Sequence, residues 1–239
     1  MADTGKTIIV VQARMGSTRL PGKSLMKIFG EYTLIDMVLR RMLASVETSC
    51  VVLATSVDSS CDRLAGKAES MGCRVLRGDE KDVLSRFAAV YRHYKPDNIV
   101  RVCADNPFVA PSEIDKLIVF FRNGGFDYAC NKIPESGLPD GFGAEIIRGK
   151  LLDKIDVLAI ELPDREHVTK YVVDRPGIYS HGLLKADKSL FHPEIKLDID
   201  TAEDLRKIAG ICEYLNPDNA PLWTCGEIIK AYFRYENKE

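Results

Sequence analysis

The sequence lacks several features that would place it in a specialised class of protein. No apolar run approaches the roughly 20 residues that a membrane helix needs. Its four histidines pair with no cysteine at the ligand spacing of a zinc site. The seven cysteines are scattered and form no CxxC motif, which favours reduced thiols in a cytoplasmic protein. The polar first residues lead directly into a strand pattern, so we expect no signal peptide and no membrane partner.

The chain also lacks a net charge that would favour a nucleic-acid partner. Its 33 Lys and Arg residues against 35 Asp and Glu residues give a net charge of −2, so any basic segment is a local feature. We find no internal repeat, low-complexity tract or long linker. At 239 residues and 46% hydrophobic content, the chain is long enough to bury one large core. We therefore predict a single domain over residues 1–239, with an appended flap at about 131–185.

Two common nucleotide-binding motifs are absent. Gly16 and the run Gly22-Lys23-Ser24 resemble a P-loop, but that motif has four residues between its glycines and this chain has five. One of the five is Pro21, which has no N–H to donate to a phosphate. No GxGxxG follows the first strand pattern either. The sequence therefore disfavours a P-loop kinase or NTPase and a dinucleotide-binding enzyme.

The most informative segment is QARMGSTRLPGK at 12–23, which follows the apolar residues 8–11. It holds the cations Arg14, Arg19 and Lys23, together with two hydroxyl residues and two glycines. A tight loop after a strand presents backbone N–H groups, and cations beside it can hold an anion. Because it would lie at the carboxyl end of the first strand, we predict a polyphosphate site. The alternative is a solvated basic loop.

Short apolar runs alternate with segments of helical period along the first half of the chain. This alternation predicts βαβ units, hence an α/β fold with a mostly parallel open sheet and helices on both faces. Ligands of such sheets bind beyond the carboxyl ends of the strands. The predicted strands cover 7–11, 51–55, 74–76, 99–103, 144–147 and 178–183. The predicted helices cover 33–46, 59–71, 81–94, 112–123, 150–160 and 165–173, and two more begin at capping boxes at 201–204 and 224–227.

Carboxylates follow the later strand patterns. Asp105 follows the predicted strand 99–103, and Asp198 and Asp200 lie on one face of an alternating segment over 196–201. These ends can meet on the rim that carries the basic loop, where Mg²⁺ bound to a polyphosphate would need one or two carboxylates. We predict Asp105, Asp198 and Asp200 as metal ligands. The alternative is that Asp105 forms a turn and that Asp198 or Asp200 caps the helix near residue 201.

Eight blocks occur in order along the chain: the segment at 12–23, LATS at 53–56, RGDEKDVLSRF at 77–87, RVCADNPFV at 101–109, DYACN at 127–131, PDGFGAEI at 139–146, DREHVT at 164–169 and DIDTAEDL at 198–205. With these blocks the chain resembles the cytidylyltransferases of the CMP-ulosonate (CMP-Kdo and CMP-sialate) synthetase superfamily, above all the branch of spore-coat polysaccharide synthesis proteins of the SpsF type. The resemblance implies a Rossmann-like nucleotide-diphospho-sugar transferase fold with a dimerisation flap.

The implied reaction is transfer of CMP from CTP to an acceptor oxygen with release of pyrophosphate, as in surface polysaccharide or glycoconjugate synthesis. The resemblance assigns catalysis to Arg14, Lys23, Asp105 and Asp200, with Mg²⁺ as the cofactor. It assigns nucleotide binding to Ala13, Arg14, Gly16, Ser17, Arg19, Lys23, Thr55, Ser56, Arg77, Gly78 and Asp105. For Thr55 and Ser56 the alternative is that their hydroxyls cap a helix.

The acceptor side follows from the resemblance alone. It comprises Asn131, Asp140, Glu145, Arg165, Glu166, His167 and Lys196, in which Arg165 and Lys196 would clamp an anionic group and His167 would accept a proton. The alternative is that the charges of DREHVT pair with one another. A sugar acid, a phosphate ester and a phosphonate all remain open as acceptors, another NTP remains open as donor, and a non-catalytic nucleotide-binding protein remains a second class.

The segment over 131–185 also carries an expectation about assembly. Its apolar residues lie on pieces of chain that look too short to form a core of their own, and such surface usually meets a partner. The resembling family pairs through this region, so we predict a homodimer. The residues concerned are Phe142, Ile146, Ile147, Tyr171, Ile178 and Tyr179.

Overall fold

The computed structural model describes residues 5–237 and contains nine strands and nine α-helices. The strands are β1 (Thr7–Gln12), β2 (Lys27–Phe29), β3 (Tyr32–Thr33), β4 (Val51–Ser56), β5 (Arg74–Gly78), β6 (Asn98–Cys103), β7 (Tyr128–Cys130), β8 (Glu145–Arg148) and β9 (His181–Leu183). The helices are α1 (Leu34–Leu43), α2 (Asp62–Ser70), α3 (Val83–Tyr94), α4 (Pro111–Gly124), α5 (Gly149–Leu158), α6 (Leu162–Glu166), α7 (Lys170–Val173), α8 (Ala202–Cys212) and α9 (Cys225–Asn237).

Seven of the strands form one sheet in the order β5-β4-β1-β6-β8-β7-β9. Strands β5, β4, β1 and β6 pair in parallel, and β8 runs antiparallel to both β6 and β7. The chain passes from β1 outward to β4 and β5 and then returns to β6 on the other side of β1. Such a reversal leaves a crevice beyond the carboxyl ends of the two strands beside it, where ligands of open α/β sheets bind.

Helices cover both faces of the sheet because β1 is apolar at consecutive positions. Ile9 and Val11 pack with residues of α1, α4, α8 and α9, whereas Ile8 and Val10 pack with residues of α3 and α5. All four side chains are completely buried, as expected for a parallel strand with helices on each side. The predicted α/β fold, a mostly parallel sheet with helices on both faces, is confirmed.

Both predicted capping boxes are present. The Thr201 hydroxyl accepts from the Asp204 backbone N–H while the Asp204 carboxylate accepts from the Thr201 N–H, which satisfies two N–H groups at the start of α8. Thr224 and Glu227 make the same exchange at the start of α9. No helix within residues 5–237 has the length and apolar character needed to cross a membrane.

The structure differs from the sequence prediction in several places. The predicted helix over 165–173 is two short helices, α6 and α7, and the predicted strand over 178–183 is shortened to β9. The hairpin of β2 and β3 and the short strand β7 are additional, because two or three residues are too few to show a period. Residues 196–201 form no strand of the sheet and contribute one isolated bridge, from Lys196 to Asp140. The segment over 131–185 supplies β8 and β9 to the main sheet. Consequently Phe142, Ile146 and Ile147 are buried within the chain's own core, and the premise that they lack one is wrong.

Candidate active site

A cleft of about 450 Å³ opens at the carboxyl ends of β1 and β6. The loop after β1 forms one wall, and the residues that follow β6 and β7 form the other, with the end of α6 above them. The predicted residues Ala13, Arg14, Ser17, Arg19, Lys23, Asp105, His167 and Asp200 all line it. Gly16 belongs to the same loop. The sheet therefore brings the predicted phosphate and metal residues to one place.

The loop over 13–24 is held by its own backbone. The Gly22 N–H donates to the Met15 carbonyl at 3.1 Å, and Gly22 has φ of 75°, in the left-handed region that glycine tolerates best. The Ser24 hydroxyl donates to the Arg14 carbonyl at 3.3 Å. These bonds close the loop between Arg14 and Ser24. They orient Lys23, the next residue after Gly22, towards the end of β6.

Lys23 joins the loop to the predicted carboxylates. Its Nζ atom donates to the Ile199 carbonyl at 2.5 Å, lies 3.3 Å from Asp200 Oδ1, and lies 3.7 Å from Asp105 Oδ2. Arg19 lies 2.8 Å from Asp200 on its other oxygen. The side chains of Lys23 and Asp200 are mostly buried, whereas that of Arg19 is 65% exposed. Two carboxylates thus face one ammonium group from separate segments of the chain.

The electrostatics of Asp105 reflect its crowded position. Burial raises its pKa above the ordinary value, and the nearby Asp200 and Asp198 carboxylates raise it further while Lys23 opposes them. Asp198 itself does not line the cleft and lies 3.5 Å from Lys196. Among residues 5–237, no three His, Cys, Asp or Glu side chains group at metal-binding distance. Two hard carboxylates, Asp105 and Asp200, suit Mg²⁺, which needs only one or two beside phosphate oxygens and water.

Arg14 of the loop and Arg86 of α3 both contact the segment that precedes α3. Arg14 Nη1 and Arg86 Nη1 both donate to the Glu80 carbonyl, at 3.2 Å and 2.9 Å. The Glu80 side chain lies over Gly16, where a Cβ would be 2.1 Å from Glu80 Oε1 and would force that carboxylate to move. Arg86 is 2% exposed, and its Nε has no hydrogen-bond partner among the described residues. Burial and the neighbouring Arg14 lower the Arg86 pKa. Arg86 is thus a buried cation that lines the cleft, and the sequence prediction did not name it.

The four residues predicted to line the base and ribose lie outside the described lining of the cleft. Thr55 is completely buried, and the Ser56 hydroxyl accepts from the Asp58 N–H at 3.0 Å. Arg77 donates to the Ser56 and Asp58 carbonyls, each at 2.8 Å, and pairs with Asp62. These contacts join β4 to β5. The Ser56 hydroxyl therefore forms a turn, which is neither the predicted nucleotide contact nor the helix cap that was its alternative. Gly78 lies in the same connection, as the register partner of Ser56.

On the acceptor side, Glu166 and His167 line the cleft, but Asn131 and Arg165 do not. Asn131 is completely buried, where it accepts from the Ala144 N–H at 2.9 Å and donates to the Glu113 carbonyl at 3.0 Å. The Arg165 guanidinium pairs with Asp82 and, at 2.7 Å, with Asp156. Its partners are therefore carboxylates of distant segments, neither an acceptor group nor its own neighbours in DREHVT.

Asp140, Lys196 and Glu145 also lie outside the cleft lining. Asp140 and Lys196 pair through their backbones, and Lys196 contacts Asp198. Glu145 is 4% exposed. Both of its oxygens are engaged, as described below, so it cannot also accept a bond from a substrate hydroxyl. Of the predicted acceptor residues, the structure brings only Glu166 and His167 to the cleft.

Besides Arg86, two further cleft cations were missed by the sequence prediction. Arg101 lies within β6 and Lys132 lies two residues beyond β7, and both line the cleft. The available signal for Arg101 is a charged residue inside an otherwise apolar run, which costs free energy unless the charge is paired or used. No sequence pattern marked Lys132 as a cleft residue, because β7, the strand that precedes it, was not predicted.

A basic loop and a carboxylate pair at the switch point of an open α/β sheet are the arrangement expected of a nucleotidyltransferase. Its fold matches a cytidylyltransferase structure from Leptospira borgpetersenii serovar Hardjo-bovis with a TM-score of 0.88 and 26% identity, over 98% of this chain and 95% of that one. It also matches a CMP:2-keto-3-deoxy-manno-octonic acid synthetase complexed with CTP, with a TM-score of 0.66 and 19% identity over 87% of this chain and 98% of that one. The second likeness concerns the fold alone.

The chain belongs to the cytidylyltransferase family, whose model matches residues 8–220. It is 35% identical over 227 residues to the spore coat polysaccharide biosynthesis protein SpsF of Bacillus subtilis (strain 168). The alignment covers 93% of this chain and 92% of the Bacillus subtilis protein. A 3-deoxy-manno-octulosonate cytidylyltransferase of Erwinia tasmaniensis is 28% identical over 59% of this chain and 56% of its own length. The predicted membership of the SpsF-type cytidylyltransferases, which are CTP-dependent nucleotidyltransferases, is confirmed.

Proposed function

We propose that this protein transfers CMP from CTP to a small anionic acceptor, an acidic sugar or a phosphorylated compound, and releases pyrophosphate. The observation that carries the proposal is the cluster of Lys23 with Asp105 and Asp200 at the end of β6. It places a phosphate-loop cation beside the carboxylates that a metal–triphosphate complex requires. The name of the Bacillus subtilis relative supports a product used in polysaccharide synthesis.

The triphosphate lies against the loop over 13–24. Arg14 and Lys23 neutralise the charge that builds on the leaving pyrophosphate, and Arg19, at the exposed rim, contributes mainly to binding. Backbone N–H groups of the loop and the Ser17 hydroxyl add hydrogen bonds to the phosphates. Since the protein forms no covalent bond, its contribution is positioning and charge neutralisation.

Asp105 and Asp200 are the residues that would hold Mg²⁺. When bound, the metal ion would supply charge neutralisation on the triphosphate and polarise the α-phosphorus. Lys23 contacts both carboxylates and therefore must yield part of this contact when a cation binds them. Asp198 contacts Lys196 and raises the Asp105 pKa through its charge, which makes it a neighbour of the metal site more than a ligand.

The acceptor approaches from the side of β6 and β7, opposite the loop. Its hydroxyl oxygen forms a new bond to the α-phosphorus as the bond to the oxygen bridging the α and β phosphates breaks. Pyrophosphate leaves with that oxygen, and the hydroxyl proton passes to His167, which lines this part of the cleft. The product is a CMP conjugate of the acceptor.

A pyrophosphate-release assay tests this proposal. We would supply each of the four common NTPs with Mg²⁺ and a panel of sugar acids, sugar phosphates and phosphonates. We expect release with CTP and at least one anionic acceptor, together with a CMP conjugate detected by mass spectrometry. Turnover with another NTP alone would reassign the donor. CTP binding without turnover across the panel would favour a non-catalytic nucleotide-binding protein.

A further inference from the structure

The wall of the cleft opposite the phosphate loop contains a buried cation, Arg101, and a half-buried cation, Lys132, that share one carboxylate. Arg101 Nη1 lies 2.6 Å from Glu145 Oε2, and Lys132 Nζ lies 2.9 Å from the same oxygen. The side chains of Arg101 and Glu145 are 7% and 5% exposed, and that of Lys132 is 30% exposed. Arg101 and Lys132 line the cleft, whereas Glu145 lies behind them.

Strand pairing determines this arrangement. Arg101 of β6 and Glu145 of β8 are register partners, and Glu145 is also the partner of Cys130 at the end of β7. Lys132 follows two residues later and folds back onto the same carboxylate. Because directly paired residues point to one face of the sheet, Arg101 and Glu145 meet without any adjustment of the loops. The sheet thus positions Arg101 and Glu145, and Lys132 reaches the same carboxylate from the loop that follows β7.

Glu145 has no carboxylate lone pair left to accept a hydrogen bond from a substrate. Its second oxygen, Oε1, accepts from the Tyr128 hydroxyl at 2.8 Å and from the Thr169 hydroxyl at 2.6 Å. Burial alone would raise its pKa, but Arg101 and Lys132 overcome this and lower the pKa to about 2. The carboxylate is therefore ionised at neutral pH and acts as a positioning residue for the two cations.

The two cations, by contrast, retain donors. Arg101 Nε donates to Gln12 Oε1 at 2.9 Å and Nη1 donates to Glu145, while its Nη2 has no recorded partner within residues 5–237. Lys132 has three N–H donors and uses one on Glu145. The three residues together carry a net charge of +1 in a mostly buried place. An uncompensated buried charge is costly, and such arrangements are characteristic of functional sites.

We propose that Arg101 and Lys132 form the subsite that binds the oxyanion of the acceptor, either a carboxylate or a phosphate monoester, with Glu145 holding both cations in place. The subsite lies beside Asp105, across the cleft from the phosphate loop. It rests on the proposed function in treating the second substrate as the bound anion. It replaces Arg165 and Lys196, whose contacts lie elsewhere, as the clamp for that anion.

The test measures binding in place of turnover. Wild-type protein is saturated with Mg²⁺ and α,β-methylene-CTP, which occupies the phosphate loop but cannot be cleaved at the normal bond. Thermal-shift titrations then use glucuronate as the carboxylate probe, glucose 6-phosphate as the phosphate probe and glucose as the neutral probe, all at constant ionic strength. We expect at least one anionic sugar to bind and glucose not to bind, and the anion that binds identifies the acceptor class.

Lys132→Met is the decisive variant, since Arg101→Met removes a buried charge and can fail to fold. Lys116→Met is a matched control, because Lys116 Nζ also lies 2.9 Å from a buried glutamate, Glu113, but does not line the cleft. We expect Lys132→Met to raise the dissociation constant of the anionic sugar at least about tenfold. The control keeps the wild-type value, and both variants bind the CTP analogue with wild-type affinity.

Several outcomes would overturn the subsite. They are equal binding of glucose and both anions, no binding of either anion to the wild type, equal anion affinity in the two variants, or a loss in Lys132→Met confined to the CTP analogue. Failure of the proposed function looks different. Anion binding that depends on Lys132, without pyrophosphate release from CTP, keeps the subsite and rejects the transfer reaction. Turnover whose acceptor KM is unchanged in Lys132→Met keeps the reaction and rejects the subsite.

Discussion

Lys23 Nζ lies 3.3 Å from Asp200 Oδ1, so a contact across most of the chain ties the phosphate loop to the segment that opens α8. The same ammonium reaches Asp105 at 3.7 Å. A cation that binds the two carboxylates competes with Lys23 for them, and a triphosphate in the loop offers Lys23 a new partner. Binding of the metal and of the nucleotide should therefore favour each other.

The loop cations provide the first prediction. We expect Lys23→Ala and Arg14→Ala to lower kcat by at least about 100-fold, because loss of one preorganised charge contact costs roughly 3 kcal/mol in the transition state. Arg19→Ala should mainly raise the KM for CTP, since the Arg19 side chain is 65% exposed at the rim. Steady-state pyrophosphate release measures both constants. Lys27→Ala is the control, because Lys27 pairs with Glu31 and does not line the cleft. Wild-type kcat in both Lys23→Ala and Arg14→Ala would remove the loop from the active site.

The second prediction concerns the metal. In Asp105→Asn we expect the increase in melting temperature caused by Mg²⁺ with CTP to shrink, because stabilisation by a ligand grows with the logarithm of its affinity. Activity should be lost while the far-ultraviolet circular dichroism spectrum is unchanged. Asp200→Asn should behave alike. Full Mg²⁺-dependent activity in Asp105→Asn would contradict the assignment, and the same result for Asp200→Asn alone would move the ligand role to Asp198.

Asp105 also yields a pH prediction for the protein without metal or nucleotide. Its folded-state pKa is raised above 3.8, so the folded state binds the proton more tightly and ionisation of Asp105 opposes folding. Protonated Asp105 therefore contributes fully to the free energy of unfolding below pH 3.8, and this contribution is lost as the pH rises through the folded-state pKa. We expect Asp105→Asn to raise the melting temperature at pH 7 by about 1–3 °C and to have no such effect at pH 3. An unchanged or lower melting temperature at pH 7 would contradict the crowding of carboxylates at this rim.

Glu145 should show the opposite pH dependence. Its pKa is lowered from 4.5 to about 2, so its stabilising contribution is present above pH 4.5 and is lost as the pH falls towards about 2. We expect Glu145→Gln to lower the free energy of unfolding at pH 7 by about 3–5 kcal/mol, since it leaves the buried Arg101 and the half-buried Lys132 without their carboxylate. Urea denaturation at pH 7 and pH 3 measures the difference, which should narrow at the lower pH. Glu69→Gln, on the exposed surface of α2, should change little at either pH.

The last prediction concerns assembly, which stays a prediction. The chain exposes Val157, Ile160, Leu162 and Ile178, each at least 70% exposed, near the ends of α5 and α7. An apolar surface of this kind is typical of a contact between copies. We expect a homodimer by light scattering at micromolar concentration and a monomer for the Ile160→Asp/Leu162→Asp variant. Val46→Asp, at a distant residue with 83% exposure, should leave the dimer intact; a monomeric wild type would reject the interface.

The sequence alone was sufficient where the determining interactions are local. Apolar runs such as residues 8–11 predict buried strands, and Thr201 with Asp204 predicts the start of α8, because periods and caps span only a few residues. The loop over 12–23 was recognisable for the same reason: its cations, glycines and preceding strand are contiguous. Its membership of the cytidylyltransferase family follows from these contiguous blocks.

Tertiary structure decided which polar side chains are available to a ligand. The Thr55 hydroxyl and the Arg165 guanidinium are both suited to bind a substrate. Thr55 is completely buried, however, and Arg165 pairs with the Asp82 and Asp156 carboxylates. Arg101 meets Glu145 only because β8 inserts beside β6, a pairing across 44 residues of sequence. Burial and the distribution of hydrogen-bond partners are properties of the packed chain. The sequence therefore determined that a basic loop follows the first strand, and the packing of β6, β7 and β8 decided which further cations line the cleft beside it.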